Sequence, residues 1–136
     1  MNAELKLVVF EEKNILNELL ELLNQQYKAI LDKELVVLEK LTTKIEDMGK
    51  KLATIEIKRR NIVGDNNFKD IIENSDDEHI KEAYVEIKRL LNTLQLQKDS
   101  NNTLIKQQLF FTNKMIKVIK PSKSVGTYNS YGNVIR

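Results

Sequence analysis

Residues 16–63 read LNELLELLNQQYKAILDKELVVLEKLTTKIEDMGKKLATIEIKRRNIV, and their spacing decides the fold class. In the second half, Leu38, Leu41, Ile45, Met48, Leu52, Ile55 and Ile62 recur at alternating intervals of three and four, broken only by Arg59. Such a rhythm places one apolar seam along a helix. In the first half, Leu16, Leu20, Leu23, Tyr27 and Ile30 keep the same rhythm, and Ile15, Leu19, Leu22 and Leu31 widen the stripe. A stripe this broad is expected to meet more than one partner helix. Between the halves, Asp32 is expected to accept hydrogen bonds from the free N–H groups of the second helix, and Asp32 and Glu34 suit its positive end. The join is thus a tight turn between antiparallel neighbours.

Outward from this hairpin, the first helix is expected over about 3–31, with Leu5, Val8, Val9 and Phe10 in its first turns, and the second over 34–63. Asn24, Gln25 and Gln26 fall between apolar positions and are read as solvent-facing. Gly64 is suited to end the second helix in the left-handed region, and Lys58, Arg59 and Arg60 suit its negative end. The segment 66–74 reads as a short helical connector pinned by Phe68, Ile71 and Ile72. Ser75-Asp76-Asp77-Glu78 fits a capping box, opening a last long helix over 77–120 whose first half carries Ile80, Tyr84, Ile87, Leu91 and Leu94. In QLQKDSNN, 95–102, the apolar pattern lapses, and Ser, Asp and Asn compete for backbone hydrogen bonds, so a bend or fraying point is expected there.

Beyond the lapse, Leu104, Ile105, Leu109, Phe110, Phe111, Met115, Ile116, Val118 and Ile119 cover more of the helix than one partner can bury. Part of this surface is expected to be bare or to be covered by another chain. Adjacent helical residues point about 100° apart, so one narrow seam does not take both Phe110 and Phe111. Pro121 stops the helix, and 121–136, rich in Ser, Gly and Asn, is expected to be a flexible tail with Tyr128, Tyr131, Val134 and Ile135 as anchors that order on binding.

The fold class is therefore all-α: an elongated antiparallel bundle or coiled coil of three long helices, spanning 1–120, with a flexible tail. The 136 residues leave no room for a second independent core. With 31% charged residues, one Pro and no Cys, the composition excludes a disulfide scaffold and cysteine-held metal. The net charge of +2 comes from interleaved acids and bases, which solvate helix faces and do not make a nucleic-acid footprint. No phosphate loop, catalytic triad or metal motif can be assembled. His79, the only histidine, stands in the polar start of a helix and reads as a solvated surface residue. No cofactor and no enzymatic activity are expected. The amino-terminal sequence has neither a signal core nor a spanning segment, so a cytoplasmic protein is expected.

The run LLELLNQQYKAIL, Asp32, and LVVLEKLTTKIEDMGKKL with IEIKRRNIV resembles the FlgN family of flagellar type III export chaperones. The matching positions are Gln26 and Tyr27, Asp32, and Leu35, Leu38, Glu39, Leu41 and Thr42. In the tail, a tyrosine four positions before a glycine is matched by Tyr128 and Gly132 in TYNSYG, with Tyr131 as a second candidate. Lys33 departs from the family, where a small residue commonly makes the turn.

The resemblance implies a cytoplasmic chaperone that binds hook-associated, or hook-filament junction, proteins, shields their terminal helices and delivers them to the export gate. Its client-binding face would be Ile105, Leu109, Phe110, Phe111, Met115, Ile116 and Ile119, and its gate-docking residues Tyr128, Tyr131 and Gly132. Two other readings remain. One is a coiled-coil or homo-oligomeric scaffold that buries the late apolar surface against another copy. The other is nucleic-acid binding through Lys58 to Arg60 and the basic end from Lys114 to Lys123, which the interleaved acids disfavour.

Overall fold

In a computed structural model, the described residues are 2–120 together with the backbone of Thr127–Tyr128 and Val134–Ile135. Four helices follow one another: α1, Ala3–Leu31; α2, Leu35–Val63; α3, Phe68–Glu73; and α4, Glu78–Ile119. The chain divides into two compact units, Met1–Asn101 and Asn102–Arg136, and α4 contributes to both. The all-α class and the α1–α2 hairpin expected from the spacing are found.

In the first unit, the heptad seams close on each other. Leu5, Val8, Val9, Leu16, Leu19, Leu23 and Ile30 of α1 are buried, as are Leu41, Met48, Ile55 and Val63 of α2. A tighter cluster of Val9, Leu16, Ile72, Ile80, Ala83, Ile87 and Leu90 joins α1 to α3 and the first half of α4, with Phe10, Leu20, Leu52, Phe68, Tyr84 and Leu94 packed around it. Ile80, Ala83, Ile87 and Leu90 advance by three, four and three residues. The seam thus passes through Leu90 and leaves Leu91 exposed, one residue earlier than the sequence spacing suggests. Ala83 is buried in this seam, and its small size hid it from a pattern built on large side chains.

The helix ends show two further departures. Asp32 does not cap α2. It ends α1, its N–H bonding back to Lys28 O, while Lys33 N–H donates to Ile30 O and Glu34 N–H to Ala29 O. These six-to-one and five-to-two bonds form a Schellman motif, with Lys33 at φ 55° in the position usually held by glycine. No side chain caps the start of α2. Nor does the capping box form at α4: Ser75 Oγ accepts from Asp77 N–H at 3.2 Å, and Asp77 Oδ1 accepts from His79 N–H at 2.9 Å. The cap is Asp77, which is also bridged from α1 by Lys6 Nζ at 3.1 Å. Gly64 ends α2 at φ 61°.

In the second unit, α4 remains helical to Ile119. The strands β1, Thr127–Tyr128, and β2, Val134–Ile135, pair antiparallel with Thr127 opposite Ile135. The other residues of 121–136, and the expectation of a flexible tail that falls on them, lie outside the described residues.

Candidate functional site

Two buried polar contacts position the helices. Glu12, only 3% exposed, faces Arg59 across the hairpin, its Oε2 3.5 Å from Arg59 Nε. This occupant explains the one break in the α2 seam. The Arg59 guanidinium also lies 4.8 Å from the centre of the Phe68 ring, which stacks edge-on with Tyr84 at 5.5 Å. Arg59 thus joins α2 to α1 and α3, and the Phe68 ring carries the contact on to α4. Arg59 Nε is buried without hydrogen-bond geometry to any acceptor. The pair is thus incompletely satisfied, and burial raises the Glu12 carboxyl above its ordinary range although Arg59 opposes the shift. Within the basic triplet, Arg59 is accordingly committed to Glu12, while the largely exposed Arg60 lies 4.0 Å from Glu56 one turn earlier.

The second contact lies where a bend was expected. Asn101 is 1% exposed. Its Nδ2 donates to Leu23 O at 2.9 Å and to Gln26 Oε1 at 2.7 Å, and its Oδ1 accepts from Gln97 Nε2 at 2.9 Å. The lapse in apolar pattern therefore marks a change from apolar to polar docking, and α4 runs through it unbroken. Gln26 is half-buried as the partner of Asn101, unlike the exposed Asn24 and Gln25. A polar residue at a seam position is the signal that both contacts left in the sequence, but its partner could not be named without the packing.

The second unit carries the expected binding residues. Leu109, Phe110, Phe111, Met115 and Ile119 are exposed, the two rings at 63% and 61%, whereas Ile105 and Ile116 are half-buried. At about 100° per residue, Ile105, Leu109, Ile116 and Ile119 share one side of α4, and Phe111, Met115 and Val118 continue it into an arc of roughly half the circumference. Phe110 lies outside that arc, with Lys114 Nζ 4.7 Å from its ring centre. Seven residues called together from sequence are thus six on one arc and one, Phe110, on the opposite side of the helix. Of the tail positions, Tyr131 and Gly132 lie outside the described residues, and of Tyr128 only the backbone is described.

The first unit has an apolar patch of its own that periodicity did not single out. At the hairpin tip, Leu31, Leu35, Val36 and Val37 are exposed, Leu35 at 75%. Three consecutive apolar residues at a helix start cannot all enter one seam, which was the available signal. His79 is exposed, its Nδ1 4.0 Å from Glu82. Among the described residues no group of three or more His, Cys, Asp or Glu is placed to hold a metal, and no helix is long and apolar enough to cross a membrane.

The described residues thus form a helical hairpin pinned to a long helix whose late turns carry a partly exposed apolar arc, the architecture of an all-α helical protein. The FlgN protein family matches residues 1–134. The chain belongs to that family, whose members are flagellar export chaperones. No match was found among curated proteins or solved structures.

Proposed function

We propose that the protein is a cytoplasmic chaperone, without enzymatic activity, that binds hook-associated flagellar proteins, shields their terminal helices and delivers them to the type III export gate. The observation that carries this reading is the exposed apolar surface late in α4 of a FlgN-family chain: Phe111, Met115 and Ile119 exposed on successive turns, with Leu109 at the other edge of the arc. The occupant is the apolar face of a client's terminal helix, laid along Ile105, Leu109, Phe111, Met115, Ile116 and Ile119, while Phe110, on the opposite side of α4, stands apart from this contact. Met115 adapts to more than one client. Tyr128, or Tyr131 beside Gly132, docks the loaded chaperone at the gate.

The test is calorimetric titration of the full chain with hook-associated proteins and with versions lacking their terminal helices. Saturable binding lost on deletion of those helices supports the reading. A chain that binds neither and instead forms a tight dimer burying Phe110 and Phe111 supports the homo-oligomeric scaffold.

A further inference from the structure

The face of the α1–α2 hairpin turned away from α4 carries an open groove. Leu16 and Leu20 of α1 pack in the cluster shared with α4, and helical geometry sets Ile15 and Leu22 about 100° or more round from them. Ile15 and Leu22, both half-buried, floor the groove together with the buried Met48 and Ile55 of α2. Its two reaches hold about 410 and 380 Å³ and share Lys51. The charges on its rims are sorted by helix: Glu11, Glu18 and Glu21 line it from α1, and Lys44, Lys50 and Lys51 from α2, with Asp47 the one acid on the basic side. Among the described residues, none of these six closes an ion pair. Across one hairpin the rims stand too far apart to pair, so each keeps its charge for an occupant.

An apolar floor between an acidic and a basic rim is complementary to itself, which is what a two-fold interface requires. A two-fold axis across the helices would stack α1 on α1 and α2 on α2, setting acid against acid and base against base. A two-fold axis parallel to the helices lays α1 of each copy antiparallel along α2 of the other, with levels along the hairpin preserved. Glu18 and Glu21 of one copy then face Lys44 and Lys51 of the other, Glu11 faces Lys50, and the two floors close on each other. From this sorting of charge we infer that the groove is the interface with a second copy of this chain, the two hairpins making an antiparallel four-helix bundle. A foreign helix would need a basic flank toward α1 and an acidic flank toward α2, whereas a second copy supplies both by symmetry. The interface uses no residue of the proposed client site, and the inference does not rest on client binding.

The test is sedimentation equilibrium of the intact chain at low and high salt, with variants that exchange the rim charges. The unaltered chain is expected to dimerise, and less tightly at high salt. Lys44→Glu with Lys51→Glu makes both rims acidic, and Glu18→Lys with Glu21→Lys makes both basic. Each variant is expected to weaken association by about tenfold or more, and an equimolar mixture of the two to restore a dimer, because each offers the rim that the other lacks. The chain carrying all four substitutions keeps opposite rims within its own hairpin, so its folding is not at issue. It is expected to dimerise with itself and not with the unaltered chain, read by fluorescence transfer between labelled chains. A chain that stays monomeric overturns the inference, as does free mixing of the unaltered chain with the fourfold variant. So does a dimer indifferent to the rim charges and lost instead in Phe110→Ser with Phe111→Ser. Client titration of Lys44→Glu with Lys51→Glu keeps this interface apart from the client site, since client affinity is expected to survive where the dimer is lost.

Discussion

Glu12 and Arg59 meet 3.5 Å apart inside the α1–α2 hairpin, the acid almost wholly buried and the base capped by the Phe68 ring. A buried ion pair contributes little net stability beyond that of an apolar pair of similar volume, but removing one partner strands the other. Arg59→Met is therefore expected to lower unfolding free energy by about 3 kcal/mol, and Glu12→Leu with Arg59→Met to recover most of that loss. Urea titration of the two singles and the double measures the coupling. A double variant no more stable than Arg59→Met would remove the pair from this role.

The same carboxyl sets a pH dependence. Burial raises the Glu12 pKa in the folded protein, so between the unfolded value, about 4.3, and the raised value the folded state holds the extra proton. Stability contributed by this group falls as pH rises through that window. Asp77 acts oppositely: the Lys6 hydrogen bond lowers its pKa, so its contribution is present above the unfolded value, about 3.9, and disappears in more acid solution. Denaturation midpoints recorded from pH 3 to pH 8 are expected to lose the upper slope in Glu12→Gln and the lower one in Asp77→Asn.

Asn101 joins α4 to α1 through Leu23 O and Gln26. Asn101→Ala removes these bonds and leaves Gln26 without its partner, a cost of about 2 kcal/mol. Hydrogen exchange is expected to accelerate most over residues 95–103, where few apolar side chains hold the helix. Uniform acceleration across α4 would show that Asn101 is not a local clasp.

Lys33 occupies the left-handed region at φ 55°, which costs a side chain about 1 kcal/mol relative to glycine. Lys33→Gly is expected to raise stability by about that amount less the added freedom of the unfolded chain. Gly64→Ala is expected to lower it by at least as much, since Gly64 combines φ 61° with ψ −134°. Thermal melts of both variants decide, and a destabilised Lys33→Gly chain would mean that the lysine side chain holds the turn.

On the proposed binding surface, Phe111→Ala is expected to weaken client affinity more than tenfold, the equivalent of about 2 kcal/mol, and Phe110→Ala by less because its ring sits off the arc under Lys114. Neither should move the thermal midpoint, since both rings are exposed. Tyr128→Ala is expected to spare client binding and weaken docking to the gate, read by surface-immobilised gate protein. Loss of client binding in Tyr128→Ala would place the tail at the client interface.

The sequence by itself determined the class, the hairpin and the family. Those follow from a three-and-four rhythm that only a helix can turn into a continuous face, and from motif residues that stay near one another along the chain. It also marked the late apolar residues of α4 as too many for one seam. Only the tertiary structure decided which polar residues belong inside. Arg59 and Asn101 interrupt apolar patterns in the sequence, and both are drawn in by partners, Glu12 and Leu23 O, that lie far away in the chain. It likewise decided between Leu90 and Leu91, and between Ser75 and Asp77 as the cap of α4. Each choice depends on which neighbour arrives on which side of the helix, an angle that periodicity leaves free by a residue.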